Sequence, residues 1–435
     1  MTSSVCIWQA GSRTTWTSGM PSRSVFCPLS RRIGSRRSGM PLSSEREMPC
    51  CRSRGAGVPS GIPERSSTWN SKRRLISSRF LLKRVNSNRW FSSGNLADGP
   101  GTRGSMKTFS ERLQDDAPIL YDGGFGSQLF SRGVELTNST LANESHPEAV
   151  TDIHLAYIAS GSEAIGTNTF VASALHLDMA GKEGEEADEI ARQAVRNARV
   201  AVEQSEKPVY VGGSMGPSPG AIEADAGDTT FGIPNEKVRD AHRRLSSALA
   251  DEGVDFYMVE TQFSANEAAI AVDEARKFGV PILVSMTYKC TKDRKTGEVI
   301  YKTDWGHSPA SLLDALAGGE HSEGENLLPY VHGMGLNCGA ETRDDDHTGM
   351  PYAIEGTGQL TRSLAERDLT GKTMVAYPNA GMPKLDKQME TVYSQSPEDM
   401  AGYLPDLMAT GARFIGGCCG TGPEHIAAFR TVLDS

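Results

Sequence analysis

From Met106 to Ser435 the chain repeats one pattern of polarity: a short apolar run, a turn rich in Gly or Asn, then a longer amphipathic stretch. The apolar runs predict eight strands, at Pro118–Tyr121, Glu163–Gly166, Val209–Gly212, Phe256–Val259, Ile282–Met286, Met334–Leu336, Met374–Tyr377 and Arg413–Ile415. Between them, helical spacing predicts Glu185–Glu206, Glu236–Glu252, Asn266–Phe278, Pro309–Ala317 and Pro397–Thr410. Strands alternating with helices in this number imply an α/β fold, a single (β/α)8 TIM barrel over residues 106–435.

Residues 1–105 break the pattern. They hold 18 Lys and Arg against 4 Asp and Glu, four of the five tryptophans and no histidine, with Ser, Arg and Gly in no periodic order. Such a stretch cannot bury a core, and we expect it outside the fold as a disordered extension or an over-extended start, with Met106 opening the folded part. Its Arg- and Ser-rich composition also suits a transit peptide, although it is long for one. A basic tail for nucleic acid fits on charge alone, but no recognition module accompanies it.

The barrel part carries 27 basic against 50 acidic residues, a net charge of −23 against +14 for the leader. That balance disfavours nucleic acid, whose phosphates it would repel, and suits a cationic small molecule. No apolar run reaches the ~18 residues of a membrane span, so no membrane partner is expected. Four cysteines lie here, two of them adjacent, which is no disulfide framework and fits a reducing cytoplasm.

Barrel chemistry is placed at the C-terminal ends of strands, and the unusual polar residues fall there: Asp122-Gly123-Gly124-Phe125-Gly126, Thr167-Asn168-Thr169, Gly213-Ser214-Met215-Gly216-Pro217, Glu260-Thr261, Asn337-Cys338-Gly339, Pro378-Asn379-Ala380-Gly381 and Gly416-Gly417-Cys418-Cys419. Cys338, Cys418 and Cys419 thus share one rim. Adjacent side chains on a regular strand point to opposite faces, so Cys418 and Cys419 meet one metal only if the backbone turns, and Gly416, Gly417 and Gly420 are expected to permit the torsions. Three thiols with no fourth protein ligand describe a Zn2+ site left open for substrate; His332 and His425 are nearest in sequence, with His332 at the wrong end of its strand. Three anionic ligands keep a bound substrate sulfur electron-rich, which favours its alkylation over hydrolysis.

Other signals carry less. Cys290 reads as a small apolar filler. Gly123-Gly124-Phe125-Gly126 lacks the last glycine and the acidic partner of a dinucleotide loop. Asp344-Asp345-Asp346 reads as solvated surface. A barrel lyase or aldolase would want a strand-end lysine, for which Lys289 is the near candidate. A non-catalytic zinc- or thiol-sensing barrel would need a fourth fixed ligand and would leave the rim carboxylates without purpose.

Taken in order, these rim motifs, ending in Gly416-Gly417-Cys418-Cys419-Gly420-Thr421, resemble the zinc-dependent homocysteine S-methyltransferases over residues 117–430. The resemblance implies methyl transfer from a small donor to homocysteine, giving methionine. It makes Cys338, Cys418 and Cys419 the metal ligands and catalytic centre, with homocysteine sulfur as the incoming ligand. Asp122 and Glu260 would hold the substrate ammonium, backbone amides of Gly123 and Gly124 its carboxylate, and Asn379 the metal when substrate is absent. Asp122 also suits a turn cap, and Glu260 a salt bridge inside the barrel.

The donor implied is S-methylmethionine, S-adenosylmethionine or betaine, each leaving as a neutral species. Betaine-using members resemble this chain less after the Asp122 motif, since Ser127–Gly133 holds no tryptophan. Aromatic faces would stabilise such a cation, with Tyr121, Phe125, Tyr288 and Trp305 as candidates. A selenol acceptor, selenohomocysteine or selenocysteine, suits the same metal. Monomer and homo-oligomer both remain open.

Overall fold

In the computed structural model, which describes residues 107–339, 347–369, 371–387 and 391–435, the eight predicted runs form one parallel eight-stranded sheet. The barrel strands are β1 Ile119–Leu120, β2 Ala164–Gly166, β3 Tyr210–Met215, β4 Phe256–Gln262, β5 Ile282–Met286, β6 Val331–Cys338, β7 Thr373–Pro378 and β8 Ala412–Ile415. Hydrogen-bonded neighbours run β1-β8-β7-β6-β5-β4-β3-β2. Glu163 N–H donates to Leu120 O at 2.7 Å, bringing β2 against β1 and closing the ring. The leader and Asp344–Asp346 lie outside the described residues.

The outer helices are α1 Pro147–Ala159, α2 Glu185–Glu203, α3 Asn235–Asp251, α4 Ala265–Ala275, α5 Pro309–Gly318, α6 Gly349–Ala365, α7 Pro397–Gly402, α8 Leu404–Ala409 and α9 Pro423–Leu433. The stretch expected as one helix over Pro397–Thr410 is two, because Pro405 offers no amide to continue the first. Ser308 and Ser396 cap α5 and α7 in reciprocal capping boxes, as Ser-Pro starts predict.

Apolar side chains sort by strand face into two cores. Ile119, Tyr121, Ala164, Tyr210, Phe256, Met258, Leu283, Val375, Tyr377 and Phe414 fill the barrel interior. The one-turn helix Phe109–Arg112 plugs its N-terminal end, with Phe109 stacked on Phe256 at 4.2 Å between ring centroids. The larger core lies between barrel and helices. Filling one end with aromatics leaves the other end for chemistry.

Two antiparallel hairpins were not anticipated. Lys289–Lys292 pairs with Val299–Lys302, and Pro383–Leu385 with Thr391–Tyr393. They read as loop because the first buries only Cys290 and Tyr301 and the second buries none of its strand residues. Cys290 is buried opposite Tyr301 in the first hairpin, the filler role expected of it. Lys289 opens the first hairpin just beyond β5 and is ion-paired with Asp304, which follows that hairpin.

Candidate active site

The Sγ atoms of Cys338, Cys418 and Cys419 lie within 4.8 Å of one another, and all three residues are partly exposed. Tetrahedral zinc thiolates with Zn–S near 2.3 Å place their sulfurs about 3.8 Å apart, so the donors need only a small contraction onto one ion. This is the only such cluster of His, Cys, Asp or Glu ligands among the described residues. His425 Nδ1 accepts from Gly422 N–H at the start of α9, and His332 Nδ1 accepts from Ile282 N–H at the far end of the barrel. Neither belongs to the cluster, so among the described residues no histidine joins the three thiols.

The backbone explains how neighbouring cysteines converge. Thr421 N–H returns to Cys418 O at 3.1 Å across a four-residue turn, with Gly420 at φ +79° in its third position. A turn with a left-handed third residue swings both side chains to one side. Only Gly420 serves through its torsion. Gly416 and Gly417 are needed for space: a Cβ at Gly416 would lie 2.7 Å from Asp122 O, and one at Gly417 2.6 Å from Thr421 Cβ. Gly417 N–H donates to Asp122 O, Cys418 N–H to Pro378 O, and Cys419 N–H to Asn379 Oδ1 at 3.1 Å, so loops from β1 and β7 grip the turn.

Cys338 ends β6 at φ +60°, a conformation that costs a non-glycine residue on the order of 1–3 kcal/mol. Hydrogen bonding with the Cys338 thiol, ahead of burial, pushes the Cys418 thiol well up. The same partner raises Cys419. Three thiols crowded this way resist ionisation alone, and a bound cation would relieve them; the donor set fits a soft metal such as zinc.

A second strained residue sits across the mouth. Between Val259 and Gln262 the pairing of β4 with β5 shifts, and Thr261 takes φ +55°. This bulge turns Glu260 into the site. Ser214 Oγ donates to Glu260 Oε1, and Tyr377 OH donates to Oε2 at 3.2 Å. Burial raises the Glu260 carboxyl to about 7. Asp122 is 4% exposed and accepts from Gly166 N–H at 2.7 Å; burial raises its carboxyl well above the usual range, and the nearby Glu260 adds to this. A cation beside these two carboxyls, each held back from ionising, would stabilise their charged forms.

Gly124 N–H donates to Thr421 O and Oγ1, and a Cβ on Gly124 would sit 2.6 Å from Cys418 O. The close approach predicted for a ligand is therefore first an approach of the β1 loop to the cysteine turn. Buried Tyr157 of α1 locks the same point, donating to Gly124 O at 2.8 Å. Asn379 is 1% exposed; its Nδ2 has no hydrogen-bond partner among the described residues.

Of the aromatic candidates, Tyr121 and Tyr288 are core residues, 3% and 2% exposed. Phe125 packs on His154 at 5.0 Å, and Trp305 is half-exposed. Two rim aromatics went unnoticed in the sequence. Phe170, half-exposed after β2, packs on Gly216 of the β3 loop, and the Tyr393 ring lies against Gly420 beside Cys419. Neither neighbour is near in sequence, so no local signal marks them.

His154, behind Phe125 on α1, is wholly buried with neither ring nitrogen partnered among the described residues, and desolvation lowers it to about 3 from 6.5. The native state thus refuses a proton that the unfolded chain accepts. Stability complete above about 6.5 is lost progressively as pH falls toward about 3, by several kcal/mol at ~1.4 per unit. Replacing His154→Leu should move the acid midpoint of urea unfolding lower and flatten that limb. An unchanged limb would show that another group governs it.

The geometry can be set beside known proteins. A sequence profile for homocysteine S-methyltransferase matches residues 119–433. Homocysteine S-methyltransferase 4 of Zea mays is 25% identical over 362 residues, covering 78% of this chain and 94% of the maize protein. Homocysteine S-methyltransferase of Escherichia coli K12 is 28% identical over 331 residues, 72% of this chain and 94% of that protein. The fold matches the metallated form of the Escherichia coli homocysteine methyltransferase MmuM, with TM-score 0.56, 23% identity, and coverage of 74% of this chain and 98% of the other. The rim motifs, the thiol triad and a profile match spanning the whole barrel place this chain in the homocysteine S-methyltransferase family.

Proposed function

We propose that the enzyme binds zinc through Cys338, Cys418 and Cys419 and methylates homocysteine from a small sulfonium or quaternary ammonium donor, forming methionine. The observation carrying this is the triad of partly exposed thiols at one barrel mouth with buried Asp122 and half-buried Glu260. Zinc, when bound, supplies the charge that keeps a substrate thiol ionised near neutral pH.

The chain's own residues orient the acceptor. Glu260 and Asp122 hold its ammonium. Gly123 N–H receives the carboxylate, with Gly124 engaged by Thr421. Asn379 Oδ1 accepts from the Cys419 amide, and its buried Nδ2, without a partner among the described residues, is left to donate to substrate. The homocysteine sulfur forms the new S–C bond in line as the donor's S–C or N–C bond breaks. The electron pair stays on the departing thioether or amine, which leaves neutral, and alignment supplies much of the rate. No general base is needed in that step, since zinc held by Cys338, Cys418 and Cys419 would already keep the acceptor thiol ionised. Phe170, exposed at the rim, is the face offered to the cationic donor. It replaces Tyr121 and Tyr288, which are buried in the core.

The test is metal analysis of the full chain together with methionine formation from homocysteine and S-methylmethionine, S-adenosylmethionine or betaine supplied separately. One zinc per chain and turnover with one donor are expected. Zinc without turnover on any donor would overturn the substrate assignment; absence of zinc would overturn the site.

A further inference from the structure

The loop that follows β3 is tied down by a polar pair lying outside the active site. Glu267, in the first turn of α4, is fully buried; its Oε1 accepts from Ser218 N–H at 2.6 Å and meets His242 Nε2 of α3 at 3.1 Å. Glu267 Oε2 and His242 Nδ1 have no hydrogen-bond partner among the described residues. The neighbours of Glu267 on α4 are small or apolar, Ala265, Ala268, Ala269 and Ile270 among them, so packing alone would favour an aliphatic side chain. Burying these groups opposes folding unless their bonds are used. The one bond to a loop that they make fixes a single amide.

That amide leads to the site. Ser218 belongs to the Gly216-Pro217-Ser218 loop, and a Cβ on Gly216 would lie 2.8 Å from the Phe170 ring. Next to Phe170, Thr169 Oγ1 donates to Ser214 O at 2.7 Å, while Ser214 Oγ bonds Glu260. The homocysteine contacts come from the loops after β1, β4, β6, β7 and β8. This leaves the loops after β2, β3 and β5, of which the first two bring Phe170 against Gly216 at the rim.

We infer that the His242–Glu267 pair is a positioning element, which sets the β3 loop and through it the Phe170 face for the methyl donor rather than for homocysteine. The inference rests on the proposed methyl-transfer reaction.

The test compares full-length, zinc-loaded wild type with Glu267→Ala and Glu267→Gln by the KM of each substrate, zinc content and hydrogen exchange at the Ser218 amide. Glu267→Ala should raise the donor KM roughly tenfold or more, with homocysteine KM and zinc content within about twofold. Its Ser218 amide should exchange at least ~10 times faster. Glu267→Gln keeps an oxygen for that amide and should stay within about threefold of wild type on both. Equal rises in both KM values, an unchanged donor KM, or Gln as damaging as Ala would overturn the inference. Should Glu267→Ala fail to fold, His242→Leu takes its place, with a smaller shift in the same direction expected and equal effects on both substrates overturning the idea. Should wild type use no donor, the methyl-transfer reading fails; unchanged Ser218 exchange in Glu267→Ala would then separately overturn the loop-setting role.

Discussion

Cys338→Ala should abolish stoichiometric zinc and lower kcat/KM for methionine formation by at least ~10³, while leaving the melting profile of the metal-free protein nearly unchanged. On the proposed site, removing one of the three thiols would take away a metal ligand, and the charge stabilisation a metal supplies is worth several kcal/mol. At 1.36 kcal/mol per tenfold, that corresponds to roughly three orders of magnitude. The fold should survive, because Cys338 is only partly buried and alanine tolerates φ +60° no better and no worse than cysteine. The substitution therefore reports on the ligand rather than on the backbone. Zinc retained at one per chain with activity intact would remove Cys338 from the centre, and with it the open three-thiolate geometry.

Glu260→Gln should raise the homocysteine KM by about 10- to 100-fold, with little change in zinc content or donor KM. A hydrogen bond to a charged partner contributes about 1.5–3 kcal/mol. Glutamine keeps the shape and can still engage Ser214 and Tyr377, so the loss isolates the negative charge proposed to hold the substrate ammonium. The contrast of the two variants is informative. One removes metal and turnover together; the other leaves the metal and weakens the acceptor alone. If Glu260→Gln instead lowered kcat for every donor with homocysteine KM unchanged, the carboxylate would act on the reacting centre and not on the ammonium.

The strand ends were readable because barrel strands are short apolar runs punctuated by Gly and Asn, and because chemistry gathers at one end of each. Asp122, Glu260, Cys338, Cys418 and Cys419 fall at those ends, and their order along the chain was enough to suggest one mouth. The extent of β6 was underestimated, since Val331-His332-Gly333 lacks a continuous apolar run, yet Lys372 holds its start by donating to Leu328 O and Val331 O. The two hairpins were missed for a related reason: each is largely uncovered, so its pattern mixes with that of a loop.

The purposes of the glycines show the boundary most clearly. Their clustering around Cys418 marked a special backbone, but torsion and space are indistinguishable in a sequence. Only the folded chain assigns Gly420 to the turn, Gly416 to contact with Asp122 on the β1 loop, and Gly417 to contact with Thr421 across the same turn. The same holds for Phe170, Tyr393 and the Glu267–Ser218 bond.

What the sequence alone determined is the alternation of strands and helices and the identity of the thiols and carboxyls at one rim. Periodicity and residue chemistry are local properties. What the tertiary structure alone decided is which way each side chain faces at that rim: the bulge that turns Glu260 inward, the β1 and β7 loops that grip the cysteine turn, and the aromatics left exposed. These depend on backbones brought together from positions tens to hundreds of residues apart, where no local pattern records the contact.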